Sequence, residues 1–147
     1  MSKTKITCHF VFGTKNRRAT LISEKRFEVY KFMHGILKNL GCHPIKINGI
    51  EDHVHILTEI SPTISISDIL KKVKQSSSHW IKETNLIPFF QGWGRGYFAV
   101  SVSPQHVVAC SQYIKNQELH HRGKAYADEI KSLIEELGME WFPNEWE

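Results

Sequence analysis

The chain has 147 residues, of which 41% are hydrophobic, 11% aromatic and 23% charged. That composition excludes a disordered chain and a fibrous repeat, and no apolar run approaches the ~20 residues of a membrane span. The net charge of +4 is unevenly spread: residues 1–50 hold ten Lys/Arg against two Asp/Glu, and residues 51–147 hold nine against thirteen. From Tyr126 onward there are seven acids and one base. A basic first half points to an anionic partner, nucleic acid foremost, or to a solvated surface that is merely lopsided. The length fits a single domain spanning 1–147. Three cysteines (Cys8, Cys42, Cys110) with no CxxC pair argue for a reducing, cytoplasmic setting rather than a disulfide framework. The opening MSKTKITCHF carries no apolar stretch of a secretory signal.

Thr4 to Thr14 is rich in Ile, Thr, Phe and Val and predicts a first strand. The basic turn Lys15-Asn16-Arg17-Arg18 follows. Ser23 is a candidate N-cap for a helix bearing Phe27, Tyr30, Met33, Ile36, Leu37 and Leu40, with Gly41 as its stop. His43 to Ile50 and His53 to Ile60 predict a strand hairpin across Glu51-Asp52. Ser65 or Ser67 opens a second helix carrying Ile66, Ile69, Leu70, Val73, Trp80 and Ile81. The loop Gly92-Trp93-Gly94-Arg95-Gly96 leads into a fourth strand, Tyr97 to Ser103. Pro104 fits the first turn of a helix running to about Glu118. A last amphipathic helix covers Ala125 to Leu137 and stops at Gly138. The first six elements give β-α-β-β-α-β, an α+β chain with the split βαβ of a ferredoxin-like sandwich: a mainly antiparallel sheet with helices on one face. Many unrelated proteins share that topology, so it assigns no activity.

Four groups of residues carry chemistry. In His53-Val54-His55-Ile56 the two histidines are i and i+2 on a strand, about 6.6 Å apart along one face. They can converge on a metal ion while Val54 and Ile56 face the core, or they are two surface histidines. Glu51 and Asp52 read either as partners that orient an imidazole or as turn-formers. Tyr113 and Gln117 are i and i+4 on one helix face, which His120 and His121 continue. This is a reactive polar stripe or an interface tyrosine with one hydrogen bond. The loop Gln91 to Tyr97 interleaves three glycines with Trp93, Arg95 and Tyr97, suited to close backbone approach, stacking and phosphate contact, or to plain flexibility. It matches neither the P-loop nor the dinucleotide pattern. Lys71, Lys72 and Lys74 with Gln75 to Ser78 are phosphate-contacting types on the second helix, or a solvated face.

Together these pieces resemble the single-tyrosine HUH transposases, the small TnpA-type enzymes of bacterial and archaeal insertion sequences. The name stands for His, a hydrophobic residue, His, here His53-Val54-His55. The family's Tyr-Ile-x-Asn-Gln pattern with His-His behind it is matched by Tyr113 to Gln117 and His120-His121. An opening His-hydrophobic-hydrophobic-aromatic-x-Thr-Lys-x-Arg stretch is matched by His9 to Arg17, and a glycine-aromatic block by Trp93 to Ser103. Gly94, Phe98 and Val100 depart from the usual residues of that block. The resemblance runs from about residue 5 to 122.

The resemblance implies an HUH endonuclease fold and a DNA transposase that cuts and rejoins single-stranded DNA. Tyr113 would be the nucleophile, forming a 5′-phosphotyrosine. A divalent cation, Mg²⁺ or Mn²⁺, would sit on His53, His55 and Gln117. Lys15, Arg17, Arg18, Lys71, Lys74 and Arg95 would contact DNA, recognised as a hairpin at the element's ends. A homodimer would share its active sites, with Tyr113 of one subunit serving the other. Other readings are a host-recruited palindrome-associated nuclease of the same chemistry, a non-catalytic nucleic-acid-binding module, and a small metallohydrolase in which Tyr113 only binds substrate.

Overall fold

The computed structural model describes residues 1–120 and 126–139. Four strands, β1 (Thr7–Gly13), β2 (His43–Ile50), β3 (His53–Glu59) and β4 (Phe98–Val102), form one sheet in the order β2-β3-β1-β4. All three pairings are antiparallel. The helices are α1 (Ser23–Asn39), α2 (Ile66–Thr84), α3 (Val107–Lys115), α4 (Gln117–His120) and α5 (Tyr126–Glu136). This is the α+β, ferredoxin-like sheet that the element order predicts.

Strand alternation divides the sheet into two faces. Cys8, Phe10 and Phe12 of β1 with Val54 and Ile56 of β3 meet Val29, Met33 and Leu37 of α1 and Ile69, Leu70 and Val73 of α2. Phe32 and Trp80 stack at 4.4 Å where the two helices meet. The crossover helices thus share one face, as expected. On the other face a smaller cluster joins Val11 and Phe98 to Ile130 and Ile134 of α5. So the odd-numbered residues of β1 and β3, which include the histidines, lie roofed rather than open to water.

The helix ends follow local chemistry, with two differences from the sequence reading. The side chain of Ser65 accepts a hydrogen bond from the Asp68 amide, capping α2. Gly41 takes φ +81° behind α1 while Cys42 donates its amide back to the Leu37 carbonyl. Ser23, in contrast, is the first helical residue, and the cap position falls on Ile22 with no side-chain bond. The single helix expected from Pro104 to Glu118 is broken. Pro104–His106 is a 3-10 turn, and Asn116 (φ −97°, ψ 27°) separates α3 from α4. β1 begins later than Thr4, and Thr14 leaves the ladder to bridge Trp93. His121, the side chain of His120 and the tail with Trp141, Phe142 and Trp146 lie outside the described residues. Among the described residues, no helix is long and apolar enough to cross a membrane.

Candidate active site

β3 carries His53 and His55 to the roofed face, and both are fully buried. The surface-histidine reading therefore does not hold. Each imidazole has a partner on its far nitrogen. Asp52 Oδ1 lies 2.8 Å from His53 Nδ1. His9, on the adjacent strand β1, places its Nε2 2.8 Å from His55 Nδ1, with the rings stacked at 5.0 Å. Such bonds fix an imidazole's tautomer and leave its other nitrogen aimed at the site. Burial and the neighbouring His55 push His9 down to about 3, so His9 is neutral at ordinary pH. Burial alone would lower His53, but its hydrogen bonds to Asp52 and Glu129 outweigh that and raise it.

The two Nε2 atoms meet side chains from two helices, and a third helix joins through one of them. Gln117 Oε1, from α4, is 3.3 Å from His53 Nε2, and Gln117 is itself fully buried. Glu129, from α5, places Oε2 3.3 Å from His53 Nε2 and Oε1 3.1 Å from His55 Nε2. Gln117 Nε2 donates to Glu129 Oε1 at 3.3 Å. Tyr113, on α3, also donates its hydroxyl to Glu129 Oε1, and its ring stands 5.8 Å from that of His55. Burial first, and then the bond to Glu129, push the Tyr113 phenol well above its usual range. The donor atoms of His53, His55 and Glu129 all lie within 4.8 Å of one another. Two imidazoles, a carboxylate and an amide oxygen are a set that holds a divalent or transition-metal cation. A buried carboxylate between buried imidazoles also supplies negative charge where a cation would compensate it.

Tyr113, His53, His55 and Gln117 thus come together in one chain. Glu129 and His9 join them unforeseen. Glu129 looked like one more acid of an acidic C-terminal stretch. Its signal was its place beside Ile130, Leu133 and Ile134, on the apolar side of an amphipathic helix. His9 stood only as the first residue of a family stretch; its alternation with Val11 on a strand would have put it on the histidine face.

The basic residues divide into two sets. Lys15, Lys74 and Arg95 line a cleft of about 900 Å³ with Gln75, Ser78 and Lys82. It lies beside the end of β1, where Gly13 pairs with His53 and Thr14 bridges to Trp93. Arg17, Arg18 and Lys71 do not line it; Arg18 and Lys71 are exposed. Lys74 donates to the carbonyls of Gly94 (3.0 Å), Arg95 (3.2 Å) and Gly96 (2.7 Å). Burial lowers its ammonium to about 8. Its helix position explains this, since it shares a stripe with Leu70, Ser77 and Ile81. Trp93 is packed edge-on to Phe12 and Phe90 and donates to Ser77 Oγ at 3.0 Å. Its ring is therefore a packing element of the loop rather than an open stacking platform.

Sheet order, buried histidine pair and helix-borne tyrosine are the features that the sequence resemblance leads one to expect. The family model described as "Transposase IS200 like" matches residues 2–117, and the chain belongs to that family. It is similar to the transposase for insertion sequence element IS200 of Salmonella typhimurium, 28% identical over 124 residues, which covers 80% of this chain and 81% of that protein. It is also similar to the ISDra2 transposase TnpA of Deinococcus radiodurans, 25% identical over 114 residues, covering 74% and 81%. A solved structure from Deinococcus radiodurans superposes with a TM-score of 0.62 at 25% identity, covering 79% of this chain and 93% of that one. A REP-associated tyrosine transposase bound to a REP hairpin gives 0.63 at 13% identity, covering 83% and 75%, a likeness of fold.

Proposed function

We propose that this transposase cuts and rejoins single-stranded DNA by transesterification at Tyr113. The observation that carries the reading is the convergence of Tyr113, Gln117, His53 and His55 on the buried carboxylate of Glu129. The Tyr113 oxygen attacks the scissile phosphorus in line. The bond to the 3′ oxygen breaks, leaving a 5′-phosphotyrosine and a 3′-OH. A second 3′-OH reverses the step and joins the strands, so no nucleotide cofactor is consumed.

A phenol is a weak nucleophile at its ordinary pKa of about 10, and here it is weaker still. Glu129 Oε1 already holds the phenolic hydrogen and is the group placed to accept it. His53, His55 and Gln117 would hold a divalent cation, with Glu129 within reach of the same point. When bound, Mg²⁺ or Mn²⁺ supplies positive charge to the phosphate oxygens as the bond changes hands. Asp52 and His9 keep the two imidazoles turned so that their Nε2 atoms face that point.

Lys15 and Arg95 would track phosphates along the cleft, with Arg17, Arg18 and Lys71 extending the basic surface outside it. Lys74 contributes through the loop it holds. The substrate is taken as a hairpin with an unpaired flank, acted on in the cytoplasm of a prokaryote. A homodimer belongs to the same proposal and rests on family membership; the tyrosine exchange that the resemblance implies stands against the contact of Tyr113 with Glu129 of its own chain. Mixing Tyr113→Phe with His53→Ala protein tests it: exchanged sites restore cutting in mixed dimers, whereas sites built within each chain do not.

The experiment for the central reading incubates the protein with single-stranded oligonucleotides from DNA flanking its gene, with Mn²⁺ or with chelator, followed by a denaturing gel. A DNA-shifted protein band that needs the cation and vanishes in Tyr113→Phe is expected. Hairpin binding without adduct would favour a binding module, and cutting without adduct a metallohydrolase.

A further inference from the structure

Asn48 lies on β2 directly opposite His55 in the ladder. Opposed residues of an antiparallel pair project to the same face. Asn48 therefore shares the histidine face. Its Nδ2 donates to the carbonyls of Ile114 at 3.1 Å and Lys115 at 3.2 Å. Those are the final two carbonyls of α3, at the end where a helix lacks intrahelical partners. The chain leaves helical geometry at the next residue, Asn116, and α4 begins at Gln117. So the amide of Asn48 grips the backbone between Tyr113 and Gln117, at the point where a continuous helix no longer fixes their relation. Arg26 adds a second tether through Glu118 Oε1 at 3.1 Å. The Glu118 side chain is 76% exposed, and exposed ion pairs contribute little. The half-buried amide of Asn48, bonded to two backbone carbonyls, is the stronger anchor.

We propose that Asn48 is a positioning residue for the transesterification: it pins the end of α3 to β2 and so sets how Tyr113 meets Glu129 and Gln117 meets His53. This rests on the reading of Tyr113 as nucleophile and Gln117 as a cation ligand. Asn48→Asp keeps the side-chain shape but replaces the donor with a charge that repels both carbonyls. Asn48→Ala removes the bonds without adding charge, and Asn48→Gln returns a donor.

The test measures the single-turnover rate of adduct formation at saturating hairpin oligonucleotide and Mn²⁺. Hairpin affinity and Mn²⁺ binding, followed by the electron-spin signal of unbound Mn²⁺, are measured alongside. Asn48→Asp and Asn48→Ala should slow adduct formation by about 100-fold, as a misplaced reacting group does. They should weaken Mn²⁺ binding and leave hairpin affinity unchanged, with Asn48→Gln recovering part of the rate. The proposal is overturned if either variant keeps the wild-type rate, or if rate and hairpin affinity fall together. Should Asn48→Asp not fold, Asn48→Ala decides. Absence of adduct in the wild type would instead sink the reading of Tyr113 itself.

Discussion

The hydroxyl of Tyr113 is bonded to the carboxylate of Glu129, sixteen residues further along the chain and on another helix. That same carboxylate reaches both histidines of β3. It therefore joins the proposed nucleophile to the proposed cation-binding group, and it also makes the phenol harder to ionise.

Replacing that carboxylate separates its two effects. In Glu129→Gln the negative charge beside the phenol is gone, so the Tyr113 pKa should fall in an ultraviolet absorbance titration. Adduct formation should nevertheless slow, by the ~10²–10⁴-fold typical of a lost proton acceptor. An unchanged or faster rate would show that Glu129 only restrains the tyrosine.

His9 makes stability depend on acid. Its pKa is about 3 in the folded chain against about 6.5 when unfolded. Between those values the unfolded chain binds a proton that the folded chain refuses. Stability contributed by His9 is therefore complete above about 6.5 and lost as pH falls toward 3, with a slope of at most about 1.4 kcal/mol per pH unit. His53, raised above its usual value, acts in the opposite sense: its contribution is present below about 6.5 and fades as pH rises through its folded pKa. Chemical denaturation from pH 4 to 6 should show a shallower slope in His9→Gln than in the wild type, and an identical slope would contradict this account.

Gly49 is needed for space. A Cβ there would collide with the backbone carbonyl of His53, which belongs to β3 and cannot swing aside as a side chain does. Gly49→Ala should cost about 1–3 kcal/mol, the range for overpacking. Because the push falls on His53, cutting should decline more than hairpin binding. A thermal melt and an adduct assay on the one variant check both statements.

Two cations of the same cleft should behave differently. Arg95 is exposed, and removing it should weaken hairpin binding and reduce the salt slope by about one. Lys74 is bonded to three loop carbonyls. Lys74→Met should lower the melting temperature and disorder the loop, with the loss in binding following from that. Equal salt slopes and equal melts in the two variants would remove the distinction.

Several parts of the site are legible in local sequence. His53 and His55 alternate with Val54 and Ile56, and a period of two suffices to put one pair in the core and the other on the opposite face. Tyr113 and Gln117 are separated by one helical turn, which suffices to align them. The break at Asn116 is not legible, because neither Pro nor Gly marks it; only the structure shows it, with Asn48 meeting the two preceding carbonyls from β2. Lys74 illustrates the same limit: its charge suggested solvent, while its place on the Leu70–Ser77–Ile81 stripe turned it inward.

The sequence by itself determined the order of the first six elements, the two faces of β3 and the spacing of the tyrosine stripe, because each depends on backbone periodicity over a few residues. Only the tertiary structure decided that Glu129, His9 and Asn48 belong with them. Their partners lie 16, 46 and 66 residues away, and no local period encodes which strands become neighbours or which helix roofs the sheet. Those choices come from burying two apolar faces of one sheet at once, a condition that the whole chain meets together.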